Sequence, residues 1–336
     1  MAARDNHGTG APWGGDFEMI GKSHRKVDGL AKATGEAIYA DDIVLPGMLH
    51  AKTLRSPHAH ARIRSIDTSK ALALEGVHAV ITGESMPTKY GVIPWTPDEN
   101  ALAVDKVRFI GDEVAAVAAI DEDTAEAALR LIEVDYEVLH AYFDPLEALQ
   151  RDEPPIHETK KNNNVSKRVE LEFGDCAAAL EASDVVLDNE YSFHGSTHAA
   201  IEPHCAVARF AADGLLTLWS STQITHYVHR ALSHVLDVPP QRIRVIQPCL
   251  GGAFGGKSDP FSLEFCVAKL AMETGRPVKM LWTREEVFYA HRGRHPMQMR
   301  YKTGASKDGR ISAVDANILI DGGSYSSFGL VTTYYS

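Results

Sequence analysis

The sequence predicts an α+β chain of two domains, and three observations carry that expectation. Its 336 residues are 44% hydrophobic and 24% charged, enough apolar mass for two cores. From Lys26 onward, short strand-like runs alternate with segments of helical spacing, and no internal repeat is present. A polar stretch carrying prolines and asparagines, residues 148–164, breaks the pattern and reads as a linker. The expected layout is a flexible N-terminal arm over 1–17, a first domain over 18–147, the linker, and a second domain over 165–336.

Each element has a local cause. Residues 114–120 form a compact apolar run bounded by charge, which predicts a buried strand. Residues 121–124 supply N-cap candidates, Glu126 follows Asp123 by three, and 125–134 reads as a helix. Residues 136–139 are the returning strand, so a strand–helix–strand unit closes the first domain near Leu146. After Gln223, the residues Ile224, Tyr227, Val228, Ala231, Leu232 and Val235 recur at helical spacing on one face. The chain then turns through Pro239 and Pro240 into a strand over 243–246. A glycine-rich run, 251–258, leads to a second helix with Leu263, Cys266, Val267, Leu270 and Ala271 on its stripe, ended by Gly275 and Pro277. Residues 278–282 are the next strand, and 307–310 turn a hairpin between 297–303 and 311–320. The aromatic stop at 334–336 carries no charged or capping tail and reads as a cut or split polypeptide.

Composition excludes several functions. Thirty-four basic against 45 acidic residues give a formal net charge of −11, which repels a nucleic-acid backbone. Mean hydropathy is −0.18, and no apolar run reaches the roughly eighteen residues a membrane helix needs. The first twenty residues lack an apolar leader core and a twin arginine, so the expected compartment is the cytoplasm, with no nucleic-acid and no membrane partner. Cys176, Cys205, Cys249 and Cys266 are widely spaced with no C-x-x-C pair, which reads as buried thiols in a reducing compartment.

The glycine run is the sharpest motif. Gly251, Gly256, Lys257 and Ser258 stand at P-loop spacing between a strand and a helix. Pro260 suits a first helical position, which places the helix start there with Ser258 or Asp259 as cap. The glycines then precede the helix instead of forming its first turn, where a phosphate would be bound. Three readings stay open: a nucleotide site, a tight crossing, and a loop whose bare backbone approaches another ligand, the last being favoured. His226, His229 and His234 lie off the apolar stripe and read as a solvated or subunit-facing surface. His198, Glu202 and His204 read as structural, with pocket lining as the second reading. The basic stretches 55–64 and 291–296 are expected to meet an anionic ligand or a partner's carboxylates.

Several of these residues, in order, resemble a known family. Lys26, Val27, Asp28, Gly29, Lys32, Thr34, Gly35, Ala37, Tyr39 and Asp42, followed by residues 54–61, look like the opening of molybdenum hydroxylase large subunits, the xanthine dehydrogenase and aldehyde oxidase family. Residues 221–223, the loop 251–257, and then 275–277 and 293–296 continue the likeness. Within the family, residues 90–94, 105–112 and 135–139 most resemble the α subunit of 4-hydroxybenzoyl-CoA reductase.

The resemblance implies an α/β hammerhead domain followed by the first part of a molybdopterin-binding domain. It implies that Gln223 hydrogen-bonds at the molybdenum centre, and that Phe254 and Gly255 lie beside the metal without being side-chain ligands. Gly251, Gly252, Ala253, Phe254, Gly255 and Gly256 would turn backbone amides toward the cofactor. The implied cofactor is molybdenum–molybdopterin, in the cytosine dinucleotide form. Iron–sulfur clusters and FAD are implied on partner subunits, in a dimer of heterotrimers. The implied reaction is reductive dehydroxylation of an aromatic substrate such as 4-hydroxybenzoyl-CoA, with xanthine dehydrogenase- or aldehyde oxidase-type hydroxylation as the alternative. Ser258 stands where purine-oxidising members carry a substrate-binding glutamate, and Ala253 where a third glycine is frequent. The family's general-base glutamate has no counterpart in these 336 residues, so the subunit or fragment is not expected to be active alone. From other classes, a P-loop NTPase and a non-catalytic assembly module are the rival readings.

Overall fold

The computed structural model describes residues 18–151, 153–158, 164–290 and 292–335. The expected arm over 1–17, and His291 of the second basic stretch, lie outside the described residues. The chain divides into a unit ending at Ile38 and a second unit from Tyr39. In the first, α1 (Gly29–Thr34) is closed by Gly35 in the left-handed region.

In chain order the second unit contains the strands β1 (Leu49–Arg55), β2 (Ala61–Asp67), β3 (Val77–Thr82), β4 (Lys106–Val107), β5 (Glu113–Ala119), β6 (Glu133–Val138), β7 (Val185–Phe193), β8 (Cys205–Phe210), β9 (Leu216–Ser220), β10 (Ile243–Ile246), β11 (Val278–Leu281), β12 (Met297–Ala305) and β13 (Ile311–Ile320). Its helices are α2 (Ser69–Leu72), α3 (Glu122–Leu129), α4 (Pro145–Gln150), α5 (Cys176–Glu181), α6 (Thr225–Leu236), α7 (Ser262–Thr274), α8 (Arg284–Tyr289) and α9 (Gly329–Tyr335). Seven strands form the main sheet in the order β10-β9-β8-β11-β1-β5-β3. The β10–β9 and β11–β1 pairs are parallel and the rest antiparallel. Strands from before and after the polar stretch therefore share one sheet. Two three-stranded antiparallel sheets flank it, β13-β12-β7 and β4-β2-β6.

The core sits between this sheet and α7. That helix is buried over nine of its positions, because it packs on strands β3, β8 and β11 instead of facing water on one side. Val228, Ala231, Leu232 and Val235 of α6 are buried as the spacing predicts, whereas Tyr227 of the same stripe is exposed and Ile224 is a half-buried residue before the helix; α6 packs against β10 and α7. Gly275 closes α7 in the left-handed region ahead of Pro277, as expected. The predicted hairpin forms, with Gly309 at φ +84 in its turn and Gly304 opposite Ala313 before a one-residue bulge.

Three sequence expectations are corrected. The strand–helix–strand unit exists as elements, but β5 lies in the main sheet between β1 and β3, whereas β6 pairs with β2 elsewhere. The helix between them runs over Glu122–Leu129, not 125–134. Asp121 caps it by accepting from the Thr124 N–H at 2.7 Å, and i→i−3 bonds from Leu131 and Ile132 tighten and end it. The second helix starts at Ser262, not Pro260, because the Glu264 carboxylate reaches back to the Phe261 N–H at 2.8 Å.

Candidate functional site

Gln223 sits in the tight link between β9 and α6. Ser221 fixes this link by exchanging backbone and side-chain hydrogen bonds with Cys205, the Thr222 hydroxyl accepts from Ile224 N–H, and the Gln223 N–H donates to Lys257 C=O at 2.9 Å. The Gln223 carbonyl oxygen Oε1 accepts three bonds, from Gly255 N–H at 3.1 Å, Lys257 N–H at 3.3 Å and Ser258 hydroxyl at 3.1 Å. Peptide N–H groups can only donate, so the atom facing them must be oxygen. The Gln223 NH₂, on an exposed residue, has no hydrogen-bond acceptor among the described residues and is left as a neutral donor.

The glycine loop fills residues 251–258 between β10 and α7. Gly252 has φ +99, Phe254 φ +55 and Gly255 φ +92, so the chain coils left-handed around Phe254. A phenylalanine in that region is strained, and its ring is 75% exposed. The N–H groups of Gly252, Ala253 and Phe254 meet no acceptor among the described residues. Three successive amides unmatched among the described residues, adjoining the Gly255 N–H that holds the Gln223 carbonyl, make a donor-rich stretch, the chemistry that holds an anionic group. The residues present therefore fit a molybdenum–pterin group.

Underneath, the segment before β8 supports the loop. Glu202 Oε2 accepts from Gly251 N–H at 2.9 Å and from Lys257 Nζ at 2.7 Å, and His204 Nε2 meets Gly256 C=O at 3.2 Å. Glu202 and His204 thus brace the loop, as the structural reading expects, and His198 packs under Gly256. Burial pulls the Lys257 ammonium below the usual amine range, and Glu202 opposes that shift. Burial likewise lowers His198 and pushes the Cys205 thiol up to about 12.

The loop geometry removes the nucleotide reading. Its lysine is 1% exposed and committed to Glu202, and the loop ends before α7, whose capping residue Phe261 already gives its N–H to Glu264. Arginines of both basic stretches are also paired within the chain. Arg55 lies between Glu113 at 2.5 Å and Glu286 at 2.8 Å, Arg64 pairs with Glu137, and Arg292 pairs with Glu99 and Asp259. His226 and His234 are exposed, while His229 bonds Pro240 C=O. A groove of 2360 Å³ opens elsewhere, around β13, α5 and α9, and none of the residues Gln223 or Gly251–Gly256 lines it. Among the described residues, no three His, Cys, Asp or Glu side chains cluster as metal ligands, and no helix is long and apolar enough to cross a membrane.

The structure thus brings Gln223, Gly255, Lys257 and Ser258 together, with Phe254 beside them. Glu202 and Lys257 are the members whose pairing the sequence did not disclose. The available signal was a pair of opposite charges, Glu202 and Lys257, each set among small or apolar residues.

Comparison with known proteins identifies the domains of the chain. Residues 156–336 match the molybdopterin cofactor-binding domain, and residues 34–140 match the aldehyde oxidase and xanthine dehydrogenase a/b hammerhead domain. The chain is 42% identical over 318 residues to the nicotinate dehydrogenase large molybdopterin subunit of Eubacterium barkeri, covering 94% of this chain and 73% of that one. It is 36% identical over 318 residues to the xanthine dehydrogenase molybdenum-binding subunit of Escherichia coli, covering 90% of this chain but 41% of that one. Among solved structures, the aldehyde oxidoreductase of Desulfovibrio gigas superposes with a TM-score of 0.83 at 30% identity, over 92% of this chain and 35% of that one. The chain therefore spans less than half the length of several proteins it matches. With a hammerhead domain, a molybdopterin-binding domain and this donor-lined loop, the chain belongs to the xanthine dehydrogenase and aldehyde oxidase family of molybdenum-dependent oxidoreductases.

Proposed function

We propose that this chain builds one wall of a molybdenum site in a hydroxylase that acts on an aromatic ring, with Gln223 and the 251–256 loop facing the cofactor. The observation that carries the reading is the donor set: one amide NH₂ left unpaired while its own carbonyl is held by three bonds, and three unmatched N–H groups in the same loop. When bound, the molybdenum–pterin group would supply oxygen-atom exchange at a carbon centre and the electron transfer that goes with it. The chain's own residues bind and orient. Gln223 donates without adding charge, the loop amides offer partial positive charge at close range, and the exposed Phe254 ring shields one side from water. Glu202 is committed to Lys257 and Gly251, so it is not the proton acceptor of the reaction; that role is assigned to no residue of this chain.

A heteroaromatic substrate is favoured by the 42% identity to a nicotinate dehydrogenase subunit across 73% of its length. Ser258 argues against a purine, since its hydroxyl is turned onto Gln223 and no carboxylate stands there. The 4-hydroxybenzoyl-CoA reading rests on framework motifs and is the competing outcome of the test below. The reading includes the cytosine dinucleotide form of the cofactor, iron–sulfur and FAD partner subunits, and a dimer of heterotrimers. Four free cysteines, of which Cys205 and Cys266 are buried as expected and Cys176 and Cys249 only half-buried, fit a reducing, cytoplasmic compartment.

The test is metal analysis of the purified complex, followed by anaerobic mixing with nicotinate, xanthine and, after reduction, 4-hydroxybenzoyl-CoA. Molybdenum together with bleaching of the visible chromophore by nicotinate supports the reading. Reoxidation by the aryl-CoA without bleaching by nicotinate overturns the substrate, and an intact complex without molybdenum overturns the enzyme reading in favour of an assembly role.

A further inference from the structure

One carboxylate oxygen ties both ends of the glycine loop. Glu202 Oε2 takes the N–H of Gly251 and the ammonium of Lys257, while the Glu202 N–H donates back to Gly251 C=O at 3.1 Å. At Gly251 and Gly256 the loop lies on this segment without room for a side chain. A Cβ at Gly251 would stand 2.5 Å from Glu202 Cβ, and one at Gly256 would stand 2.9 Å from His198 Nδ1. The Lys257 side chain is 1% exposed and that of Glu202 11%. The backbone of the same lysine grips Gln223 from two sides, its N–H donating to Oε1 and its C=O accepting the Gln223 N–H. From Glu202 to the unpaired amide of Gln223 the path therefore runs through a single residue.

We infer that Glu202 and Lys257 are positioning residues, a buried ion pair that sets where the Lys257 peptide lies and through it the direction of the Gln223 NH₂. A buried ammonium deprived of its carboxylate is drawn toward water and moves its own backbone with it. The second carboxylate oxygen, Oε1, is buried with no partner among the described residues, so Oε2 alone does the holding. The inference rests on the reading that Gln223 faces the cofactor, and it extends that reading to residues that do not touch the cofactor themselves.

The test uses the assembled holoenzyme with Glu202→Gln and with the charge-free pair Glu202→Gln/Lys257→Met, which keeps the experiment interpretable if the single variant folds poorly. Hydrogen exchange is followed on peptides covering 221–225 and 251–258 against the rest of the chain, together with molybdenum content and the g values of the Mo(V) EPR signal. The expected result is at least tenfold faster exchange confined to those peptides, less than half the wild-type molybdenum, and shifted g values. A folded double variant with wild-type exchange in 251–258, or with local loosening but wild-type molybdenum and g values, overturns the inference. Wild-type molybdenum and g values in Gln223→Ala would instead overturn the reading beneath it, which keeps the two failures apart.

Discussion

Adding a single methyl group at Gly251 tests how tightly the loop lies on its support. The new Cβ would stand 2.5 Å from Glu202 Cβ, against about 3.5–4.0 Å for carbon atoms in ordinary contact. Loop and glutamate must separate by about 1 Å, and overpacking of that size costs about 1–3 kcal/mol. The Lys257–Glu202 contact of 2.7 Å cannot absorb such a shift without weakening. Both side chains are shielded from water, so full loss of the pair would raise the cost to about 3–5 kcal/mol. The control is Gly309→Ala in the β12–β13 turn, where φ is +84 and nothing lies within 4 Å of the added atom. That substitution carries only the left-handed backbone penalty, about 1–2 kcal/mol. Guanidinium unfolding of both variants, with slopes compared, reads the difference. A Gly251→Ala loss no greater than that of Gly309→Ala would refute the close-packing argument.

Two further outcomes follow from the same structure. Burial pushes the Glu264 carboxyl up to about 7, so between pH 4.5 and 7 the folded chain keeps a proton the unfolded chain has released. Stability from this group is full below about pH 4.5 and falls as pH rises toward 7, by about 3 kcal/mol in all. Glu264→Gln, compared with wild type by urea unfolding at pH 5 and pH 8, should flatten that slope, and parallel losses in the two proteins would contradict the assignment. Asp121→Ala removes the cap of α3, where the carboxylate accepts from Thr124 N–H at 2.7 Å. It should cost about 1 kcal/mol by denaturant midpoint, and an unchanged midpoint would show that the cap is idle.

Much of this fold is written locally. The stripe of α6, the glycine–proline stop of α7 and the β12–β13 turn each depend on residues a few positions apart, and each forms where the spacing puts it. The all-buried β5 is equally plain from its apolar run. Pairing partners are not local, which is why β5 and β6 read as one unit and yet enter different sheets. The site divides the same way. The bare glycine loop and Gln223 could be picked out by residue type and by family likeness. The fate of Lys257 could not, because a lysine after glycines offers the same letters whether it faces a phosphate or a carboxylate 55 positions away. Arg55 and Arg292 read as anion binders for the same reason, since Glu113, Glu286, Glu99 and Asp259 reach them only through the fold. The start of α7 moved for a smaller cause. Glu264 at the third helical position outweighs the preference of Pro260 for the first.

The central claim is that the unpaired amide of Gln223 and the unmatched amides of Gly252, Ala253 and Phe254 face a molybdenum cofactor. Anomalous diffraction at the molybdenum edge, from crystals of the cofactor-loaded assembly, tests it without reference to turnover. A molybdenum peak is expected beside the Gln223 side chain and the left-handed turn at Phe254. A peak remote from both, with those amides still unmatched or turned to solvent, would contradict it.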